Sequence, residues 1–254
     1  VEPGVTMGDL TRLLLPRNLM LDLHVEMESV TVGGAAMGFG IETNSHMTGF
    51  FQETVLSYEM VDSNGNVRKV DRENCADPEL FHALPWSHGS LGFLTCLTVR
   101  CVRVKPYVNV RYIPTQSPEE LTEKLRTLTE GEPHNCPRFV EATVFSKDEA
   151  VIQVGDYCTL EEAPPGAKVH EINHFWKPFY YKYVQSLLRE PSLPSHPEGA
   201  CRSEVIPLRH YTHRFTRSVF WELEDMIPFS NHPLYRTLWG WLGAPEVGLL
   251  KLAQ

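Results

Sequence analysis

The chain has 254 residues, 42% of them hydrophobic and 22% charged, with a formal net charge of −9. That balance supports a folded core and excludes a disordered chain. The acidic surplus argues against nucleic-acid binding, which needs a basic surface, and no stretch reaches the roughly 18 apolar residues of a membrane span.

Val1 to Val5 reads as the end of a strand. Thr6 is placed to cap a helix, with Asp9 at the capping-box position, and Leu10, Leu13 and Leu14 supply its apolar stripe. After Pro16 and a polar loop comes the densest motif: Thr31, Val32, Gly33, Gly34, Ala35, Ala36, Met37, Gly38, Phe39, Gly40, Ile41, Glu42 and Thr43. Four of these thirteen residues are glycine, so backbone rather than side chain faces the neighbour. Exposed N–H groups here would form an anion nest for a phosphate-bearing cofactor. The competing reading is a tight turn packed against a strand.

Thr54 to Val61 alternates as a strand. Asn64-Gly65 turns the chain, and Val67 to Val70 returns as its partner. Asp77-Pro78 opens a helix that buries Leu80, Phe81 and Leu84. A second glycine turn, Trp86 to Leu94, leads into one long strand, Phe93 to Val104. Lys105-Pro106 reads as a boundary.

Beyond it, Tyr107 to Ile113 is a strand. Ser117 caps a helix with Leu121, Leu125 and Leu128 inward, and Phe139 to Phe145 pairs with Ala150 to Tyr157. This pattern predicts an α+β domain with an antiparallel sheet. Pro-rich loops lie at Glu161 to Gly166 and Pro191 to Gly199, with the aromatic run Phe175 to Tyr181 between them.

Cys75, Cys96, Cys101, Cys136, Cys158 and Cys201 form no C-x-x-C pair, and Cys96 and Cys101 fall on opposite faces of one predicted strand, so free thiols in a reducing compartment are expected. His170-Glu171-Ile172-Asn173-His174 is a literal H-E-x-x-H. Pro165-Gly166 and Pro178 leave its helix short, and no third ligand follows, so no metal is expected. Arg209, His210, His213, Arg214 and Arg217 form a basic cluster. They suit a phosphate or an anionic head group, or else pair with Glu222, Glu224 and Asp225 along a helix. His46 and His88 flank the glycine motifs and could reach a cofactor or be structural.

The order T-V-G-G, G-x-G, strand, D-x-N-G, helix, W-S-x-G-x-L-G-F and strand resembles the second half of the flavin-binding domain in the p-cresol methylhydroxylase and vanillyl-alcohol oxidase superfamily. Within it, the string Arg209 to Leu223, with Val1 to Gly8 and Leu249 to Leu252, is similar to the delta(24)-sterol reductase family. The resemblance implies that residues 1–104 are the C-terminal portion of a PCMH-type FAD-binding domain and 105–254 a portion of an α+β substrate domain. It implies non-covalent FAD along Thr31 to Thr43, with the adenine end near Gly92 and Phe93. NADPH is the implied reductant and a sterol side-chain alkene the substrate. The implied location is the cytosolic face of the endoplasmic reticulum membrane, through an anchor outside this chain, and the chain itself is expected to be a fragment. The proton donor is a Tyr, Glu or His, with none singled out. A flavin oxidase or dehydrogenase acting on a small alcohol or lactone, or an inactive flavin-fold binding module, remain the alternatives.

Overall fold

The computed structural model describes residues 1–73, 77–132, 135–164, 166–191, 199–218, 224 and 226–243. Cys75, Phe220, Trp221, Glu222, Asp225 and the Leu249 to Leu252 string lie outside them. The chain is α+β and divides into two units, Val1–Val104 and Lys105–Gln254.

The first unit opens without the expected strand. The Val1 ammonium donates to the Leu97 carbonyl at 2.7 Å, and the chain turns at Pro3-Gly4. Helix α1 (Met7–Leu14) carries a true capping box: Thr6 Oγ1 accepts the Asp9 N–H at 3.1 Å and the Asp9 carboxylate accepts the Thr6 N–H at 3.1 Å. Met7, not Leu13, shares the buried face with Leu10; Leu13 is 52% exposed.

A short strand β1 (Leu19–Leu21) precedes two helices, α2 (Val32–Met37) and α3 (Ser45–Thr48). Strands β2 (Val55–Val61) and β3 (Val67–Asp71) form the predicted hairpin, with Gly65 at φ 83° in its turn. Helix α4 (Pro78–Ala83) is capped by Asp77, whose carboxylate accepts the Leu80 N–H at 3.1 Å. The predicted long strand is instead two: β4 (Phe93–Val99), beside β2, and β5 (Cys101–Arg103), beside β1 in another sheet. The break sits at Arg100. Its N–H donates to Thr54 O at 2.9 Å, its carbonyl accepts the Asp22 N–H at 3.1 Å, and its guanidinium meets the Asp22 carboxylate at 3.2 Å. Cys96 and Cys101 therefore belong to different sheets, and both are free thiols. Met7, Leu23, Val32, Phe51, Tyr58 and Leu84 make the centre of the core. Each such large side chain contributes about 1.5–3 kcal/mol by leaving water.

The second unit is built on an antiparallel sheet ordered β7-β8-β6-β9. Its strands are β6 (Tyr107–Thr115), β7 (Phe139–Ser146), β8 (Glu149–Cys158) and β9 (Arg202–Pro207), the last not foreseen. Helix α5 (Pro118–Thr129) starts at Ser117, whose hydroxyl accepts the Glu120 N–H at 3.1 Å. Its Leu128 is buried with Ile113, Ile152 and Val154, and Leu121 and Leu125 pack on that cluster. Helix α6 (Tyr180–Ser186) and the short α7 (Leu208–Thr212) follow. Among the described residues no helix is long and apolar enough to cross a membrane.

Candidate functional site

The glycine pair lies in the first turn of α2, not in a loop. Thr31 Oγ1 accepts the Gly34 N–H at 3.1 Å and caps the helix. The Val32 and Gly33 N–H groups donate to Val5 O and Pro3 O, both at 2.9 Å, and Gly38 N–H donates to Gly34 O at 2.8 Å. These amides are engaged inside the protein, which corrects the expected nest of bare N–H groups.

Three of the four glycines answer to packing. A Cβ on Gly33 would stand 2.6 Å from Pro3 Cβ, one on Gly40 2.6 Å from Phe51 Cβ, and one on Gly38 2.7 Å from Gly34 O. Gly34 differs: apart from its chain neighbours and its own helix backbone, the only atom of the described residues within 4 Å of its Cβ position is Thr31 Oγ1, at 3.0 Å. It borders an open groove of about 400 Å³ lined by Pro3, Gly4, Thr31, Gly33, Gly34, Met37, Gly89, Gly92, Phe93 and Leu94.

The groove thus gathers Thr31, Gly33, Gly34, Met37, Gly92 and Phe93 from the expected set. It does not gather the rest. Val32, Ala35 and Ala36 face the core. Phe39 packs on Phe50 and Trp86, each at 4.9 Å between ring centres, and Ile41 is exposed. Glu42 accepts the Glu26 N–H at 3.2 Å and donates its own N–H to Ser45 Oγ at 2.9 Å; Thr43 follows it, outside the groove. Pro3, Gly4, Gly89 and Leu94 went unforeseen. Gly89 was legible in the second glycine turn; Pro3 and Gly4 carry no sequence sign of it.

That second turn holds Trp86 at φ 68°, His88 at φ 50° and Gly89 at φ 78°. A left-handed tryptophan is strained, and such strain persists only where its surroundings fix it. The fixing contacts are His88 N–H to Met37 O at 3.1 Å and Ser87 Oγ to Met37 Sδ at 3.3 Å. Neither His46 nor His88 lines the groove.

The second unit carries a separate buried polar centre on Glu204. Its Oε1 accepts the Tyr112 hydroxyl at 2.7 Å, and its Oε2 accepts the Tyr183 hydroxyl at 2.8 Å and faces His170 Nδ1 at 3.0 Å. Arg202 reaches the Tyr183 hydroxyl at 3.1 Å, and Tyr180 meets Tyr112 at 3.1 Å, hydroxyl to hydroxyl. Burial alone raises the Glu204 carboxyl, but the bonds from His170, Tyr112 and Tyr183 outweigh it and hold it below the ordinary carboxylate range. A depressed folded pKa gives stability that is complete above the unfolded value and is lost as pH falls through the folded one. Acid unfolding should therefore steepen below about pH 4.3, and Glu204→Gln should flatten that limb in denaturant melts across pH. An unchanged acid limb in the variant would assign the loss to other carboxylates.

The H-E-x-x-H stretch is not helical; residues 170–178 run as turns. His170 serves Glu204, whereas His174 Nε2 meets Glu171 at 2.6 Å and stacks on Trp176 at 4.3 Å. The basic cluster also disperses. Arg214 pairs with Glu141 at 2.7 Å. Arg217 donates to the carbonyls of Ile172, Phe175 and Lys177, and burial brings it down to about 10. His210 Nδ1 accepts the Asn173 N–H at 3.3 Å. Glu224, an expected partner, takes Lys182 and Tyr181 instead; Glu222 and Asp225 lie outside the described residues.

Residues 1–71 match the family described as FAD binding domain. Over its whole length the chain is 42% identical to delta(24)-sterol reductase of Homo sapiens, 42% to that of Mus musculus and 36% to that of Arabidopsis thaliana. The chain is a relative of the delta(24)-sterol reductases. It spans 46%, 46% and 44% of those three proteins, so it matches just under half of each. Among the described residues no group of three or more His, Cys, Asp or Glu side chains could hold a metal ion.

Proposed function

We propose that this chain is part of an FAD-dependent reductase of sterol side-chain double bonds, with NADPH as reductant. The observation that carries the reading is the similarity to delta(24)-sterol reductases along the entire chain. Residues 1–104 are read as the C-terminal portion of a PCMH-type flavin domain and 105–254 as substrate-domain sequence. The setting is the endoplasmic reticulum membrane, facing the cytosol, by analogy with that family.

The groove in the first unit supports a cofactor there. Gly34 and Gly89 leave it open: the nearest atom to a Cβ on Gly89 is Gly92 O at 4.0 Å. Met37, Phe93 and Leu94 make it apolar. With the neighbouring amides already engaged, the groove fits a flat ring or its side chain better than a pyrophosphate. Thr31, Gly33, Gly34, Met37, Gly92 and Phe93 would hold that part of a non-covalent FAD. When bound, the flavin supplies hydride. The protein's own work is to orient the alkene, exclude water and deliver a proton.

The test uses a polypeptide of the full length seen in the relatives. Loaded with FAD, it should be yellow, bleach with NADPH under nitrogen, and regain colour when given desmosterol, whose product gains two hydrogens. Colourless protein that refuses FAD overturns the reading. Colour regained only with oxygen or a small-alcohol product would favour the oxidase alternative.

A further inference from the structure

We infer that the face carrying Phe229 and the short helix Pro233–Trp239 docks on a phospholipid surface, with Arg236 behind it taking a headgroup phosphate. Arg236 is only 9% exposed, and its Nε and Nη1 atoms are sealed from solvent with no hydrogen-bond partner among the described residues. Such a group is rare, because a buried guanidinium keeps its charge and needs acceptors. A Cβ on Gly240 would stand 3.0 Å from Phe175 O and 3.5 Å from Arg236 Cβ, so the helix end sits hard against the Phe175 turn. The Phe175 carbonyl at this seam already accepts from Arg217 Nη2 at 3.2 Å. Arg217 is held low by burial and then by the charge of Arg236, so the two cations lie within range of each other.

The surface around Arg236 is apolar. Met226, Phe229, Leu234, Leu238, Trp239 and Trp241 are all exposed. Leu234 and Leu238 lie one turn apart on the outer face of the helix. The Trp241 indole N–H donates to Leu238 O at 3.0 Å, and the Trp239 ring packs 5.7 Å from that of Tyr235. Large exposed apolar patches mark interaction sites. Phe229 is the clearest member, 78% exposed at φ 66°. A left-handed backbone at a bulky residue costs energy, and an exposed ring recovers none of it in water. The turn is pinned all the same: Phe229 O accepts the His232 N–H at 2.8 Å, and Asn231 Oδ1 accepts the Phe179 N–H at 3.0 Å.

Charge selects the occupant. From Met226 to Gly243 the sequence has no Asp, Glu or Lys, and it holds Arg236 and His232, in a chain of net charge −9. This cationic island suits an anionic partner. Apolar side chains that enter the acyl region leave Arg236, set behind them, at phosphate depth, and tryptophan is favoured at that boundary. The whole arrangement lies in the second unit and needs neither flavin nor sterol.

The test mixes the 254-residue chain with vesicles of phosphatidylcholine and phosphatidylinositol and reads flotation. The parent should float. Arg236→Met should weaken binding roughly fivefold. Phe229→Gly combined with Leu238→Ser should weaken it on the order of tenfold. Without vesicles, Arg236→Met should melt no lower than the parent, since it strands no partner, and Phe229→Gly should melt at or above it, since glycine relieves the strain. Those melts separate a docking face from core packing. A parent that stays in the soluble fraction, or vesicle binding that both variants leave intact, overturns the assignment. So does an Arg236→Met protein that melts well below the parent, which would reveal an acidic partner within the chain. Inorganic phosphate or NADPH that raises the parent's melting temperature through Arg236, without flotation, moves the site to a soluble phosphate. A concentration-dependent dimer that hides the patch assigns it to a second copy. Either result overturns the lipid reading.

Discussion

Gly34→Trp should remove visible flavin absorbance from a polypeptide of full family length. The reason is local. Among the described residues outside its own helix backbone, Thr31 Oγ1, at 3.0 Å, is the near neighbour of a Cβ built on Gly34, and Gly34 lines the groove with Met37, Gly89 and Phe93. An indole there occupies volume that a cofactor ring needs. Gly40→Val, outside the groove, makes the control. Its Cβ meets Phe51 Cβ at 2.6 Å, so it should lower stability by about 1–3 kcal/mol through overpacking. Flavin binding in that variant should follow the folded fraction. Absorbance spectra on protein checked by circular dichroism separate the two. Stoichiometric FAD in a folded Gly34→Trp protein would reduce the motif to a packed helix start.

The sequence made the locally encoded parts of this fold legible. Thr6 with Asp9, Asp77 before Pro78, and Ser117 with Glu120 each cap a helix through contacts three residues long. Asn64-Gly65 fixed a hairpin for the same reason. Helix α2 was missed because two glycines oppose helix by propensity. What makes it form is distant: Val5 O and Pro3 O receive its first N–H groups. The β4–β5 break was hidden because alternation runs straight through Arg100, and only Thr54 and Asp22 reveal the corner. The glycine motif stood out in the sequence, but nine of its thirteen residues lie outside the groove. The Glu204 centre was illegible. Its Tyr112 contact spans 92 positions, and a lone glutamate on an unforeseen strand carries no periodic sign.

Arg214→Ala should lower stability of the second unit by about 3–5 kcal/mol, read from denaturant midpoints. The sequence offered Arg214 for phosphate binding, yet its side chain is only 2% exposed. Its Nη2 meets Glu141 at 2.7 Å and its Nη1 donates to Tyr211 O at 2.9 Å. The guanidinium lies 4.7 and 4.9 Å from the ring centres of Tyr211 and Phe215. Truncation leaves the Glu141 carboxylate, 14% exposed, without its cation, and the carbonyl without that donor. The loss comes mainly from the stranded charge, so it should be non-additive. Arg214→Met combined with Glu141→Leu should recover most of it, since a matched apolar pair has no desolvated anion to satisfy. A loss under about 1 kcal/mol would place the pair among solvated surface bridges, and the arginine would again be available to an anionic ligand.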